Sequence, residues 1–264
     1  MTSDSAKADE PKFGEQTINK MATMVIARML KDAEGVDVQV KTDLGKLAQG
    51  QVDSIAIKIQ GLLMQSSLRL EEFYLQINRV AVKPLSAMRG KIKLLHPTDG
   101  TIRVVVNEDS LTQALNSDSV RENLPPLSKQ IDSSSGNDSL QQVKCYLLSD
   151  GHLAFNVGAA SGEVSAPDPA VPSLAFTATP EIGHDGQGIV LQNLSPVTQP
   201  VNPPADRLES LAEMTAAVVA QISQLLSMPE FQHQGMSVKI QQLQVVTGKL
   251  SWEAIAYIDR FQST

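Results

Sequence analysis

The sequence predicts an α+β fold in which two long amphipathic helices accompany about ten strands of a strongly curved antiparallel sheet. Three observations predict it. Apolar residues recur at three- and four-residue steps in two long stretches, near residues 17–33 and 205–227. Elsewhere they alternate with polar residues at a period of two, in short runs separated by turn signals. The alternation also changes phase: Leu68 and Leu70 fall on even positions, Phe73, Leu75 and Ile77 on odd ones, and Val80 and Val82 on even ones again. A slip of one residue turns every side chain to the other face, so each change requires a bulge or bend that curves the sheet.

Taken in order, residues 1–15 are polar and predict a disordered arm, followed by a single domain over 16–262. The first helix is expected to run from a Thr17 cap to a Gly35 stop, with Ile18, Met21, Ala22, Val25 and Met29 on its apolar side. Strands follow at Val36–Val40 and Ile55–Ile59, through the phase-shifting run to Val82, at Ile92–Leu94, and at Ile102–Val106 behind a turn over residues 96–100. Residues 107–117, NEDSLTQALNS, predict a short helix capped by Asn107 or Asp109, with Leu111, Ala114 and Leu115 on one face. Residues 125–139 read as a polar loop. Val143–Leu147 and Leu153–Val157 form a hairpin about Asp150-Gly151.

Proline-bearing segments 161–173 and 195–206 predict surface connections, and Leu174–Ala178 and Ile189–Leu194 are strands joined by a glycine-rich tip. The second helix spans 205–227 with Asp206 as its cap and Pro229 beyond its end; its wider apolar side predicts burial along most of its length. Two long strands, Met236–Val245 and Leu250–Ile258, close the chain about Thr247-Gly248.

Composition excludes several functions. The 264 residues carry 22 Lys+Arg against 29 Asp+Glu, a formal charge of −7, with ten aromatic residues, which argues against a nucleic-acid binder built on a basic face with stacking rings. One cysteine, Cys145, cannot form an internal disulfide, and the best apolar run, Met21–Leu30, is broken by Arg28, so no membrane span is expected. The acidic start, without an apolar segment behind a basic one, predicts no secretory signal and hence a cytoplasmic protein, peripheral at most on the inner face of a membrane.

No catalytic constellation is visible. His96, His152, His184 and His233 lie far apart with no Cys or His at metal-ligand spacing, so neither a metal nor a cofactor is expected. Gly-x-Ser-x-Gly is absent, and Gly45-Lys46 and Gly248-Lys249 lack the surroundings of a phosphate loop. Residues 183–188, GHDGQG, read as a hairpin tip, Glu71-Glu72 as a solvated bend, and Cys145, alternating with Val143 and Leu147, as a core residue. One charge feature stands out: Arg79, Lys83, Arg89, Lys91 and Lys93 occupy the stretch from Phe73 to Pro97 without an acid. A cationic stretch on an acidic chain fits anionic headgroups, and each well-placed cation contributes about 1 kcal/mol near such a surface.

The segments IKIQGLLMQ at 57–65, NRVAVKPL at 78–85 and Gly90-Lys91-Ile92, the run VVVNEDSLTQALNS at 104–117, and LSMPEF at 226–231 with Gly235-Met236 and Gly248-Lys249-Leu250 resemble the bacterial LmeA-like phospholipid-binding family. The resemblance covers residues 17–260, with 120–200 matching by pattern. It implies a domain akin to tubular lipid-binding proteins, in which the curved sheet wraps a long helix and acyl chains fill an apolar groove between them. Lining residues expected on that basis are Met64, Leu68, Leu70, Phe73 and Leu75 from the sheet and Met214, Val218 and Ile222 from the second helix. The function so implied is non-enzymatic phospholipid binding, for lipid transfer or sensing at a membrane surface. The competing expectation is an interaction module with a filled core that takes a protein partner through Trp252 and Phe231.

Overall fold

The computed structural model describes residues 13–30, 32–83, 94–125, 141–159, 174–197, 205–228 and 235–259. Helix α1 (Phe13–Met29) leads into β1 (Gly35–Lys41), the short α2 (Leu44–Ala48), the long strands β2 (Gln51–Leu63) and β3 (Arg69–Ala81), and β4 (Thr98–Asn107). Then come α3 (Glu108–Leu115), α4 (Asp118–Arg121), β5 (Gln141–Leu147), β6 (Leu153–Ala159), β7 (Leu174–Ile182) and β8 (Ile189–Pro196). The long α5 (Ala205–Ser227) and the hairpin of β9 (Met236–Val246) and β10 (Lys249–Ile258) complete the order.

The fold is α+β and antiparallel, but its strands form two sheets where the sequence reading expected one. Six run in the order β1-β2-β3-β4-β10-β9 and four in the order β5-β6-β7-β8. The division follows from pairing: β4 has β3 on one side and β10 on the other, so β5 finds no free edge there and starts a second sheet. Neither sheet closes on itself among the described residues. The two meet where the β7–β8 tip reaches β9, Gly186 O accepting the Ile240 N–H at 2.7 Å, and where the Gly248 N–H donates to Leu147 O at 3.0 Å.

The phase changes in β2 and β3 have a cause the sequence reading did not anticipate. Pairing runs from Gln51↔Ala81 to Leu63↔Arg69 without a shift of register, so no extra residue is inserted. Instead Arg79 adopts φ 55° and Gly61 φ 62°, and these left-handed residues sit where the inward face switches, after Ile77 and after Leu70. A true bulge does the same work in β9: pairing with β10 shifts between Glu253 and Ala254, Gln241 is left over, and the inward positions move from Met236, Val238 and Ile240 to Leu243 and Val245.

Several boundaries move. Helix α1 starts at Phe13 and ends at Met29, so Thr17 lies within it and Gly35 opens β1. Strand β4 begins at Thr98, so residues 98–100 pair with β10 and do not belong to a turn. Of the strand expected at Ile92–Leu94, Leu94 makes one bridge to Val82, and residues 92 and 93 lie outside the described residues. Ser195 and Pro196 end β8, and Asp206 is the second residue of α5, hence not its cap. The loop residues 126–139 and 161–173 lie outside the described residues. Asn107 caps α3 as expected, its Oδ1 accepting the Ser110 N–H at 2.8 Å.

Helix α1 is not enclosed by the sheet. It lies along the edge strand β1, whose outward N–H groups it satisfies: Thr23 Oγ1 accepts from Val38 at 3.0 Å and Asn19 Oδ1 from Val40 at 2.7 Å. Residues four apart on a helix rise about 6 Å and residues two apart on a strand about 6.7 Å, so a polar i, i+4 pair can face successive outward amides of an edge. The inward faces of the six-stranded sheet align in rows, one of which runs Ile59, Phe73, Val104, Trp252, Leu243 across β2, β3, β4, β10 and β9.

Candidate functional site

The eight residues expected to line an apolar groove are all buried and belong to one continuous core. Met64 and Leu68 close the β2–β3 turn, the Met64 N–H donating to Leu68 O at 2.9 Å, with Leu70 beside them; Phe73 and Leu75 follow on the inward face of β3. Met214, Val218 and Ile222 form one stripe of α5, at 0% exposure each. Helix α5 packs against β8 and α3.

At the C-terminal end of α5 a small crevice lies between this helix and the six-stranded sheet. Leu226, Ser227 and Met228 form its helical side, Ile102, Val104, Val238, Ile240 and Trp252 its sheet side, and Gln187-Gly188 a third wall. Its free volume of about 20 Å³ is the size of a single water. The glycine-rich tip that the sequence marks as a hairpin is this third wall. A Cβ on Gly188 falls 2.7 Å from Ser227 Oγ, so the missing side chain lets the tip approach the end of the helix. Ser227 Oγ donates to Ser223 O at 2.6 Å. Met228 is 4% exposed and sits at φ 43°, a left-handed conformation that a non-glycine residue adopts at a cost of order 1–3 kcal/mol. Pro229 disfavours the right-handed helical conformation at the residue before it, which accounts for the helix stopping there.

The crevice residues were missed because they come from five separate segments. The available signals were Pro229, which ends α5, and the period-two run at 236–240. A second, open depression of about 560 Å³ lies on the opposite face of the six-stranded sheet, lined among others by Lys58, Glu72, Tyr74, Thr101, Arg103 and Glu253, a mixed-charge surface unsuited to acyl chains.

Of the five cations expected to meet headgroups, Arg79 and Lys83 are exposed, while Arg89, Lys91 and Lys93 lie outside the described residues. Trp252 is 3% exposed: it projects from β10, between β4 and β9, into the core between Val104 and Leu243, so it cannot anchor a protein partner. Phe231 lies outside the described residues. Glu71 and Glu72 are not a solvated bend; they lie within β3, Glu71 held by Lys249 at 2.6 Å and Glu72 by Lys58 at 3.3 Å. Cys145 is a core residue, and burial, reinforced by the Glu108 charge, pushes its thiol far above the ordinary range. His96 and His184 are exposed, His152 lies 3.2 Å from Asp150, and His233 is outside the described residues. Among the described residues no group of His, Cys, Asp and Glu is arranged to hold a metal ion, and no helix is long and apolar enough to cross a membrane.

The chain was compared with known proteins. No curated protein and no solved structure matches it. A protein-family model described as LmeA-like phospholipid-binding matches residues 12–255, from the start of α1 into β10. Over nearly its whole length, then, the chain belongs to the LmeA-like phospholipid-binding family.

Proposed function

We propose that the protein binds phospholipid without altering it chemically, taking acyl chain into the seam between α5 and the six-stranded sheet at the surface of a membrane, in lipid transfer or sensing. The observation that carries this reading is the apolar crevice in that seam, continuous with the core that contains Met64, Leu68, Leu70, Phe73, Leu75, Met214, Val218 and Ile222. As it stands the crevice is too small for a chain. Opening requires Met228 and Leu226 to move, and the strained backbone at Met228 together with the adaptability of a methionine side chain favours that site as the mouth. Each CH₂ then buried contributes about 0.8 kcal/mol, enough for a chain of ordinary length to offset the opening. Arg79 and Lys83, with Arg89, Lys91 and Lys93 of the same stretch, supply the cations for an anionic headgroup.

Native mass spectrometry tests the reading. Protein prepared without detergent and incubated with phosphatidylcholine and phosphatidylglycerol vesicles is expected to acquire an adduct of phospholipid mass, near one per chain. A mass that stays clean overturns it.

A further inference from the structure

Helix α1 is held by one face and leaves the other open. Asn19 and Thr23 are bonded to β1, and Ile18, Ala22 and Ile26 pack on the core, so the helix cannot roll. On the opposite face Met21, Met24 and Val25 are 64%, 56% and 52% exposed. Side by side, three large apolar residues in water mark an interaction surface. Its charge selects the partner: exposed Lys20 and Arg28 flank the apolar residues, and the stretch Gln16–Leu30 contains no acid, on a chain whose formal charge is −7. The surroundings agree. Because α1 runs antiparallel to β1, its Lys20 end lies toward exposed Lys41, and the β1–β2–β3 pairing places exposed Arg79 and Lys83 at that same end of the sheet.

We infer that the outer face of α1 is a membrane-docking surface, with Met21, Met24 and Val25 entering the boundary between headgroups and acyl chains of an anionic bilayer while Lys20 and Arg28 meet its phosphates. This is the geometry of a helix lying in the interface plane, apolar on the lipid side with cations that reach outward along their stems. The inference rests on the proposed function only in that the protein meets phospholipid; it concerns where the chain touches a membrane and not what it holds inside.

The test uses the full chain. Cys145 is buried and unreactive, so Met24→Cys and Tyr257→Cys can each be labelled at one position with an environment-sensitive fluorophore; Tyr257 is exposed on the other side of the six-stranded sheet. With phosphatidylcholine–phosphatidylglycerol vesicles at low salt the Met24→Cys label is expected to report an apolar environment and the Tyr257→Cys label none, and pure phosphatidylcholine to give a smaller response. In flotation with the same anionic vesicles, Met21→Glu/Met24→Glu is expected to lose about tenfold or more in partition while Tyr257→Glu does not. Because both methionines are exposed, melting temperature and uptake of a short-chain phospholipid below its micelle concentration should stay as in the parent chain. Parent-like flotation of the double variant, or no flotation of the parent chain, overturns the inference. So does a parent chain that sediments as a dimer while the variant is a monomer, which assigns the face to a second copy. Failure of short-chain uptake in the parent chain overturns the groove reading and leaves the flotation result to judge docking on its own.

Discussion

Thr112 and Cys145 exchange two hydrogen bonds as a pair of strand neighbours does: Thr112 Oγ1 accepts the Cys145 N–H at 3.1 Å and donates to the Cys145 carbonyl at 3.3 Å. The same face of α3 continues in both directions. Glu108 Oε2 accepts the Leu147 N–H at 2.9 Å, and Asn116 accepts the Val143 N–H at 3.0 Å while donating to Val143 O at 2.6 Å. Positions 108 and 112 of α3 and its C-cap residue 116 thus serve positions 147, 145 and 143 of one edge strand.

Replacing Thr112 with valine keeps the shape and removes both bonds, leaving an amide and a carbonyl of β5 unpaired. Thr112→Val is expected to lower unfolding free energy by about 1–3 kcal/mol, and Thr112→Ser, which keeps the hydroxyl, by less. Urea denaturation with an unchanged m-value reads both.

The buried thiol sets an alkaline limit. Cys145 has a folded-state pKa raised chiefly by desolvation, so its contribution to stability is complete below the unfolded thiol value of about 8.5 and is lost as pH rises above it, where the unfolded chain releases a proton that the folded chain keeps. Between about pH 9 and 10 the parent chain should lose stability more steeply than Cys145→Ala, by up to about 1.4 kcal/mol per pH unit. Parallel denaturation curves over that interval check it, and identical slopes count against it.

Two glycines should respond differently to alanine. At Gly100 a Cβ meets the backbone oxygen of Gln76 at 2.7 Å and Ile77 Cγ1 at 3.2 Å, contacts that give way only if β3 and β4 separate. At Gly61 the clash is with the Glu34 side chain, which can swing aside, but φ 62° remains. Gly100→Ala is expected to cost about 1–3 kcal/mol with no single rescuing substitution. Gly61→Ala is expected to cost about 1–2 kcal/mol, of which Glu34→Ala recovers the steric part alone. Thermal unfolding of the two singles and the Glu34→Ala/Gly61→Ala double separates the cases.

At the crevice, Gly188→Ala presses on the Ser227 hydroxyl and narrows the space beside Met228. Since that hydroxyl can turn away, the stability change should stay below about 1 kcal/mol while phospholipid occupancy in native mass spectra falls.

What was legible in the sequence was local. The Val36–Val40 alternation, the Asn107 cap, the Asp150-Gly151 hairpin and both long helices depend on neighbours a few residues away, and each appears where the pattern places it, within shifts at the ends. The partition into two sheets was not legible, because it depends on β10 returning across 142 to 160 positions to take the far edge of β4. Nor was the role of Asn19 or Asn116: a polar residue within a helical pattern reads as solvent-facing unless its strand partner, here 21 or 27 positions away, is known. The charge of the 79–93 stretch was readable, whereas the open face of α1 was not, since Met21 and Val25 fit an ordinary core stripe equally well.

An edge strand left bare is a template on which another chain can add. Here β1 and β5, the first strands of the two sheets, carry outward amides that already have side-chain acceptors from α1 and α3. Helices thus end each sheet on one side, and any substitution that strips Asn19, Thr23, Glu108, Thr112 or Asn116 of its acceptor turns a closed boundary back into a sticky one.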